Sequence, residues 1–151
     1  MRKSRLFGIF GIFSIVIIIP VLILARILND GSQYKSVRIS DTVIKAEVAN
    51  TPLKRTVGLM SKSTLPSNQG MLFIFNDENH HSIWMMNTSI PLDIIWIDSN
   101  HKIIDIVKNA QPCFLICEIY TPDEKALYVL EVNSGFVKEH NVQVGEKISI
   151  S

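Results

Sequence analysis

The sequence contains no Gly-x-Ser-x-Gly elbow, no phosphate-cradling glycine loop and no His-Glu-x-x-His. These absences remove the usual signatures of hydrolase, nucleotide and zinc-protease chemistry. It contains no internal repeat, and helical patterns do not alternate regularly with strand patterns, which disfavours a doubly wound parallel sheet. Charge is scarce at 19%, with a formal net charge of +1 over 151 residues. That near-neutrality conceals a split: residues 1–40 carry six Lys and Arg against one Asp, whereas residues 41–151 carry nine against thirteen acidic residues. A protein that grips phosphate backbones shows the opposite sign over its folded part, so nucleic acid is not an expected partner. Cysteine is limited to Cys113 and Cys117, whose separation is not the Cys-x-x-Cys of a redox pair.

What is present begins at the amino terminus. Arg2, Lys3 and Arg5 precede an uncharged run from Leu6 to Ala25, and about 20 apolar residues suffice for a helix to cross a hydrocarbon core. The sequence predicts a basic cytoplasmic tail over residues 1–5, a transmembrane anchor over 6–26 that makes the membrane a partner, a stalk over 27–41 and a globular domain over 42–151. The excess of Arg and Lys before the run places the amino terminus in the cytoplasm and the globular part outside, in the periplasm or exterior. Cleavage as a signal peptide, giving a secreted domain, is the alternative. Ile23-Leu24-Ala25 lacks the small residue at the first position of a cleavage site.

Within the globular part, Val43–Ala49 alternates as a half-buried strand, and Thr51 with Pro52 opens a short helix in which Leu53, Val57 and Met60 recur near helical spacing. Gly70 permits a positive φ before a strand over Met71–Phe75. Asn76–His81 reads as a polar loop. Further strands are expected at Ser82–Met86, Asp93–Ile97, Lys102–Val107, Leu127–Val132 and Gly145–Ile150, with a turn at Asp98–His101 and irregular chain over Asn109–Glu124. Ser134 is positioned to cap a second short helix reaching about His140. The fold class is α+β and β-rich: one domain with a mostly antiparallel sheet or partly open barrel and two short helices.

Several separated motifs carry a family resemblance. Thr51-Pro52 with Arg55 and Gly58-Leu59-Met60 is followed by Gly70-Met71-Leu72-Phe73, then by Trp84-Met85, Asn87-Thr88 and Pro91-Leu92-Asp93. Pro112, Tyr120, Tyr128-Val129-Leu130-Glu131, Gly135 and Gly145 come later. In this order they resemble the bacterial and archaeal family catalogued as domain of unknown function 192, over nearly all of residues 43–150. The resemblance implies a compact β-rich domain, often behind a signal peptide or anchor, and carries no established activity. The family commonly has Lys where this chain has Met86, so a mechanism needing that amine is absent here. Glu146 stands where an Asp often follows the last glycine.

Candidate site residues are polar groups set among apolar ones, because a buried polar group without a partner costs a few kcal/mol and persists as a tie or as part of a site. Arg55, Trp84, Asn87, Thr88 and Asp93 form the candidate ligand-binding set, in a small polar pocket walled by Trp84, Met85 and Trp96. Asp93 and Glu131 are the candidate catalytic pair, capable of acid and base work if their environments separate their pKa values. The competing reading has Asp93 pinning a turn with Arg55 neutralising it. Met60, Met71, Met85 and Met86 with His80, His81 and His101 raise a soft-metal site. Methionine fills irregular cores, however, and loop histidines are commonly solvated, so no metal and no cofactor are expected. Cys113 and Cys117 would stand roughly 13 Å apart in an extended strand, so a disulfide requires a turn or helical loop there; bridged and free cysteines both remain open. Asn87-Thr88-Ser89 matches a glycosylation sequon, yet its apolar setting argues for a buried Asn87 side chain. The expectation for function is a non-catalytic module binding a small ligand or an envelope protein. A hydrolase or transferase using Asp93 and Glu131, positioned by Arg55 and Asn87, and a structural accessory of an envelope complex are the alternatives.

Overall fold

A computed structural model describes residues 33–151. The strands are β1 (Tyr34–Ile39), β2 (Thr42–Ala49), β3 (Gln69–Asn79), β4 (Ile83–Trp84), β5 (Leu92–Ile97), β6 (Ile103–Ala110), β7 (Ile119–Tyr120), β8 (Ala126–Asn133) and β9 (Ser149–Ile150). Helix α1 (Pro52–Val57) links β2 to β3, and α2 (Phe136–Glu139) follows β8. Seven strands form one sheet in the order β6-β5-β8-β3-β2-β1-β9, with β4 and β7 as a separate pair. β2 and β3 run parallel, as a crossover through a helix requires. The other neighbours in the sheet are antiparallel.

The sheet curls into a half-barrel, and its two ends meet. The Ile103 N–H donates to Glu146 O, the Gly145 N–H to Ile103 O and the Ile148 N–H to His101 O, so the start of β6 is stitched to the chain leading into β9. Successive side chains on a strand point to opposite faces, and the apolar residues sort accordingly. Ile44, Leu72, Ile95, Ile97, Leu130 and Val132 face the inner core, which α2 closes with Phe136 and Val137. Met71, Phe73, Leu92, Ile94, Trp96 and Val129 face an outer core, covered by the β4–β7 pair and its flanking chain. All six residues of β5 are buried, which explains its unbroken apolar character apart from Asp93.

The expected elements are present with several corrections. Tyr34–Ile39 lies in the predicted stalk, yet it forms β1, paired with β2 and β9; only Val37 and Ile39 are buried, too short an alternation to stand out. The anchor expected over residues 6–26 lies outside the described residues, and among the described residues no helix is long and apolar enough to cross a membrane. β3 runs on through Asn79, past an irregularity between Ile74 and Asn79, where a polar loop is expected. Helix α1 is capped by Thr51, whose Oγ1 accepts from the Lys54 N–H at 3.2 Å, with Pro52 in its first turn. It buries none of its own residues: Leu53 and Val57 face outward, and Leu59 beyond it enters the core. Gly70 does not adopt a positive φ. It is needed because a Cβ there would stand 2.5 Å from Glu131 O.

Candidate functional site

β5 and β8 each present one buried carboxylate, and the register separates them. Asp93 lies opposite Val132, and Glu131 lies opposite Ile94 and Met71. Asp93 therefore projects to the inner face with Ile95, and Glu131 to the outer face with Val129. The two cannot flank one substrate, which overturns their reading as an acid–base pair.

Asp93 is consumed structurally. Its Oδ1 accepts from the Asn109 N–H at 2.9 Å, and its Oδ2 from the Gly135 N–H at 3.1 Å and the Val137 N–H at 2.9 Å. One carboxylate thus holds the end of β6 and supplies the cap that α2 lacks locally, since Gly135 at the N-cap has no side chain. Ser134, expected to cap α2, instead donates its hydroxyl to Asn109 Oδ1. Arg55 does not meet Asp93. Its Nη1 donates to Ile74 O at 2.9 Å and its guanidinium lies over the Phe75 ring, 5.2 Å from the centroid.

Glu131 is the opposite case. It is buried in the outer face with a small opening onto a recess, and among the described residues its carboxyl has neither a hydrogen-bond nor a charge partner. Burial alone pushes its pKa up to about 8, because a low-polarity surround disfavours the charged form. At neutral pH it is mostly a protonated acid with an O–H to donate. It forms part of a recess of about 70 Å³, together with Arg55, Gly58, Leu59, Met60, Phe73, Met86 and Thr88. The recess shares Arg55, Thr56, Phe73, Ser82, Ile83 and Trp84 with a wider groove of about 330 Å³, which adds Pro52 and Phe75. A volume of that order falls at the lower end of small-molecule sites. Arg55 and Glu131 are the titratable side chains on these walls, so at neutral pH the cleft carries the charge of one guanidinium.

The structure divides the expected site residues. Arg55, Trp84, Thr88 and Glu131 line the cleft or its recess, whereas Asp93 lies across the sheet. Asn87 is exposed, not buried, in a left-handed conformation with φ 53°. Its N–H donates to Cys113 O, and its carbonyl accepts from the Ser61 N–H. Met85 and Trp96 belong to the outer core, and Trp96 Nε1 donates to His81 O at 2.8 Å. The cleft also uses residues that sequence reasoning did not assign to a site: Thr56, Phe73, Ser82 and Gly58. Gly58, with φ 49°, would press a Cβ to 3.3 Å from the Phe73 ring.

The methionines and histidines take separate duties. Met71 and Met85 fill the outer core, His80 Nδ1 bonds to Pro122 O, His81 stacks on Phe75, and His101 meets the edge of Tyr128. Among the described residues no three His, Cys, Asp or Glu side chains gather as metal ligands. Cys113 and Cys117 are joined in a disulfide with a Cα–Cα distance of 5.5 Å, the turn between them providing the approach that an extended strand forbids.

Known proteins show the same framework. The DUF192 family model, described as an uncharacterized ACR, matches residues 35–150. A UPF0127 protein of Thermococcus gammatolerans is 36% identical over 105 residues, covering 68% of this chain and 64% of that protein. A UPF0127 protein of Thermococcus kodakarensis is 32% identical over 107 residues, covering 70% and 64%. Among solved structures, a Sinorhizobium meliloti protein provisionally described as a transcription regulator aligns with a TM-score of 0.72 and 31% identity, over 80% of this chain and 94% of that one. A protein of unknown function from Novosphingobium aromaticivorans aligns with a TM-score of 0.69 and 29% identity, over 78% and 84%. With a family match spanning β1 to β9, the chain belongs to the DUF192 (UPF0127) family.

Proposed function

We propose that this chain is a membrane-tethered, extracytoplasmic module that binds a small organic anion in the cleft between α1 and β4, without transforming it. The observation that carries the reading is that one recess is lined by both the Arg55 guanidinium and the unpartnered Glu131 acid. A ligand carboxylate would accept from Arg55 N–H groups and from the Glu131 O–H, while an apolar body would lie against Phe73, Phe75 and Trp84. Tethering rests on the uncharged run Leu6–Ala25 and the basic residues before it. A nucleic-acid role, suggested by the description of the Sinorhizobium protein, fits poorly with thirteen acidic against nine basic residues over 41–151. With Asp93 bound to three backbone amides, a two-carboxylate hydrolase or transferase has no second group at the cleft.

Calorimetric titration of the full chain with 2-naphthoate near pH 6.5 tests this reading. Saturable binding is expected, weakened about tenfold or more by Arg55→Met, as loss of a charge-assisted pair predicts. Equal binding by Arg55→Met, or no saturable binding, counts against it.

A further inference from the structure

The chain between the two cysteines bears the most exposed apolar surface among the described residues: Phe114 is 67% exposed, Leu115 91% and Ile116 96%. The disulfide closes a loop of five residues, too tight for these three side chains to bury one another. Its base is fixed, since the Cys113 N–H donates to Met85 O and Cys113 O accepts from the Asn87 N–H. The apolar surface continues along the small sheet, where Ile119 on β7, 63% exposed, faces Trp84 on β4, 46% exposed, at the cleft mouth. Clustered apolar side chains held in water mark a surface that something covers.

We infer that residues 113–117 form a rigid finger that inserts Phe114, Leu115 and Ile116 into the interface of a lipid bilayer, turning the mouth of the cleft toward the membrane. Three features favour lipid over a protein partner. The tip is three consecutive large apolar residues with no polar side chain among them, unlike the mixed apolar core and polar rim of a protein interface. The disulfide fits an oxidising compartment outside the cytoplasm. The same chain carries an apolar run of bilayer-crossing length, and the eight residues from Arg26 to Gln33 reach at most about 29 Å before β1 begins. The inference rests on the tethered reading proposed above. A finger already ordered by its disulfide loses little conformational entropy on insertion.

The test uses the full chain reconstituted in phosphatidylcholine vesicles, with Trp84→Phe combined with either Leu115→Trp or Val144→Trp. Val144 is an exposed position between Val142 and Ile148 of the inner core. Emission is taken as the difference from the Trp84→Phe chain, which keeps the buried Trp96 common to all variants. So measured, the tryptophan of Leu115→Trp is expected to shift to the blue on reconstitution, to be quenched by lipids brominated along the acyl chain, and to resist aqueous iodide. The Val144→Trp protein should show the reverse. Adding Phe114→Ser and Ile116→Ser to the Leu115→Trp chain should restore iodide access. Iodide quenching of Leu115→Trp in a chain that still floats with the vesicles overturns the finger and leaves the tether standing. Protection from both quenchers means that protein covers the finger, and overturns the inference. Failure of the unsubstituted chain to float with vesicles removes the tether and the finger together, while leaving the cleft reading intact.

Discussion

Two buried carboxylates on neighbouring strands have opposite surroundings. Asp93 faces the inner core and is met by three backbone N–H groups from the end of β6 and the start of α2. Glu131 faces the outer core, is met by none among the described residues, and opens on a cleft. The difference teaches that burial alone does not distinguish a tie from a site; the count of partners does. A carboxylate whose acceptors are all used holds the fold together. One kept free of partners costs stability once it must ionise, and is available to a ligand.

The sharpest way to break the comparison is Asp93→Ala. It leaves three N–H groups without their acceptor and unpins α2 from the inner core, with an expected loss of about 3–5 kcal/mol, on the order of one to three kcal/mol for each donor left buried and unsatisfied. Denaturant unfolding measures it, and a loss below about 1 kcal/mol would show that Asp93 is not the tie.

The Glu131 side is read through pH. Its folded pKa, pushed to about 8 from an ordinary 4.5, means that the native state holds a proton that the unfolded state has released between those values. Stability is therefore fullest below about pH 4.5 on this account, declines as pH rises toward 8, and is flat beyond it, a total of up to a few kcal/mol. Glu131→Gln should flatten that slope without lowering stability at pH 5. An unchanged slope in denaturation measured from pH 5 to pH 8.5 would show that Glu131 is not the group responsible.

Arg55→Met gives the smallest effect. Arg55 is half-buried with one bond to Ile74 O, so its removal is expected to cost about 1 kcal/mol or less. A larger loss in a melting experiment would move Arg55 from the cleft to the scaffold.

Much of the fold is legible because strand alternation and turn chemistry are local signals. Val43–Ala49 alternates, Thr51-Pro52 starts α1, and Asp98 accepts from the Asn100 and Lys102 N–H groups in the expected turn. β1 escapes because two buried side chains set no period, and the extension of β3 because Asn76–Asn79 is polar and held by pairing, not by hydrophobic pattern. The site is legible in its membership and not in its arrangement. Glu131, Arg55, Trp84 and Thr88 stand out as polar or aromatic residues in apolar context. Which carboxylate faces which side, however, depends on cross-strand register, and a slip of β5 by one residue would carry Asp93 to the face of Glu131. The cap of α2 is equally invisible, because its acceptor sits 42 residues earlier in the chain, as the Gly135–Asp93 bond shows.

The position of β8 carries a final consequence. It lies between β5 and β3, with Gly70 packed so closely that no side chain fits beneath Glu131 O. Amide protons there should be among the slowest in the molecule to exchange with solvent, opening only when the whole sheet opens, whereas the two-residue strands β4 and β7 and the six-residue α1 open locally. A ligand arriving in the cleft thus meets an immobile floor and yielding walls, and its footprint in exchange experiments would be written in the walls.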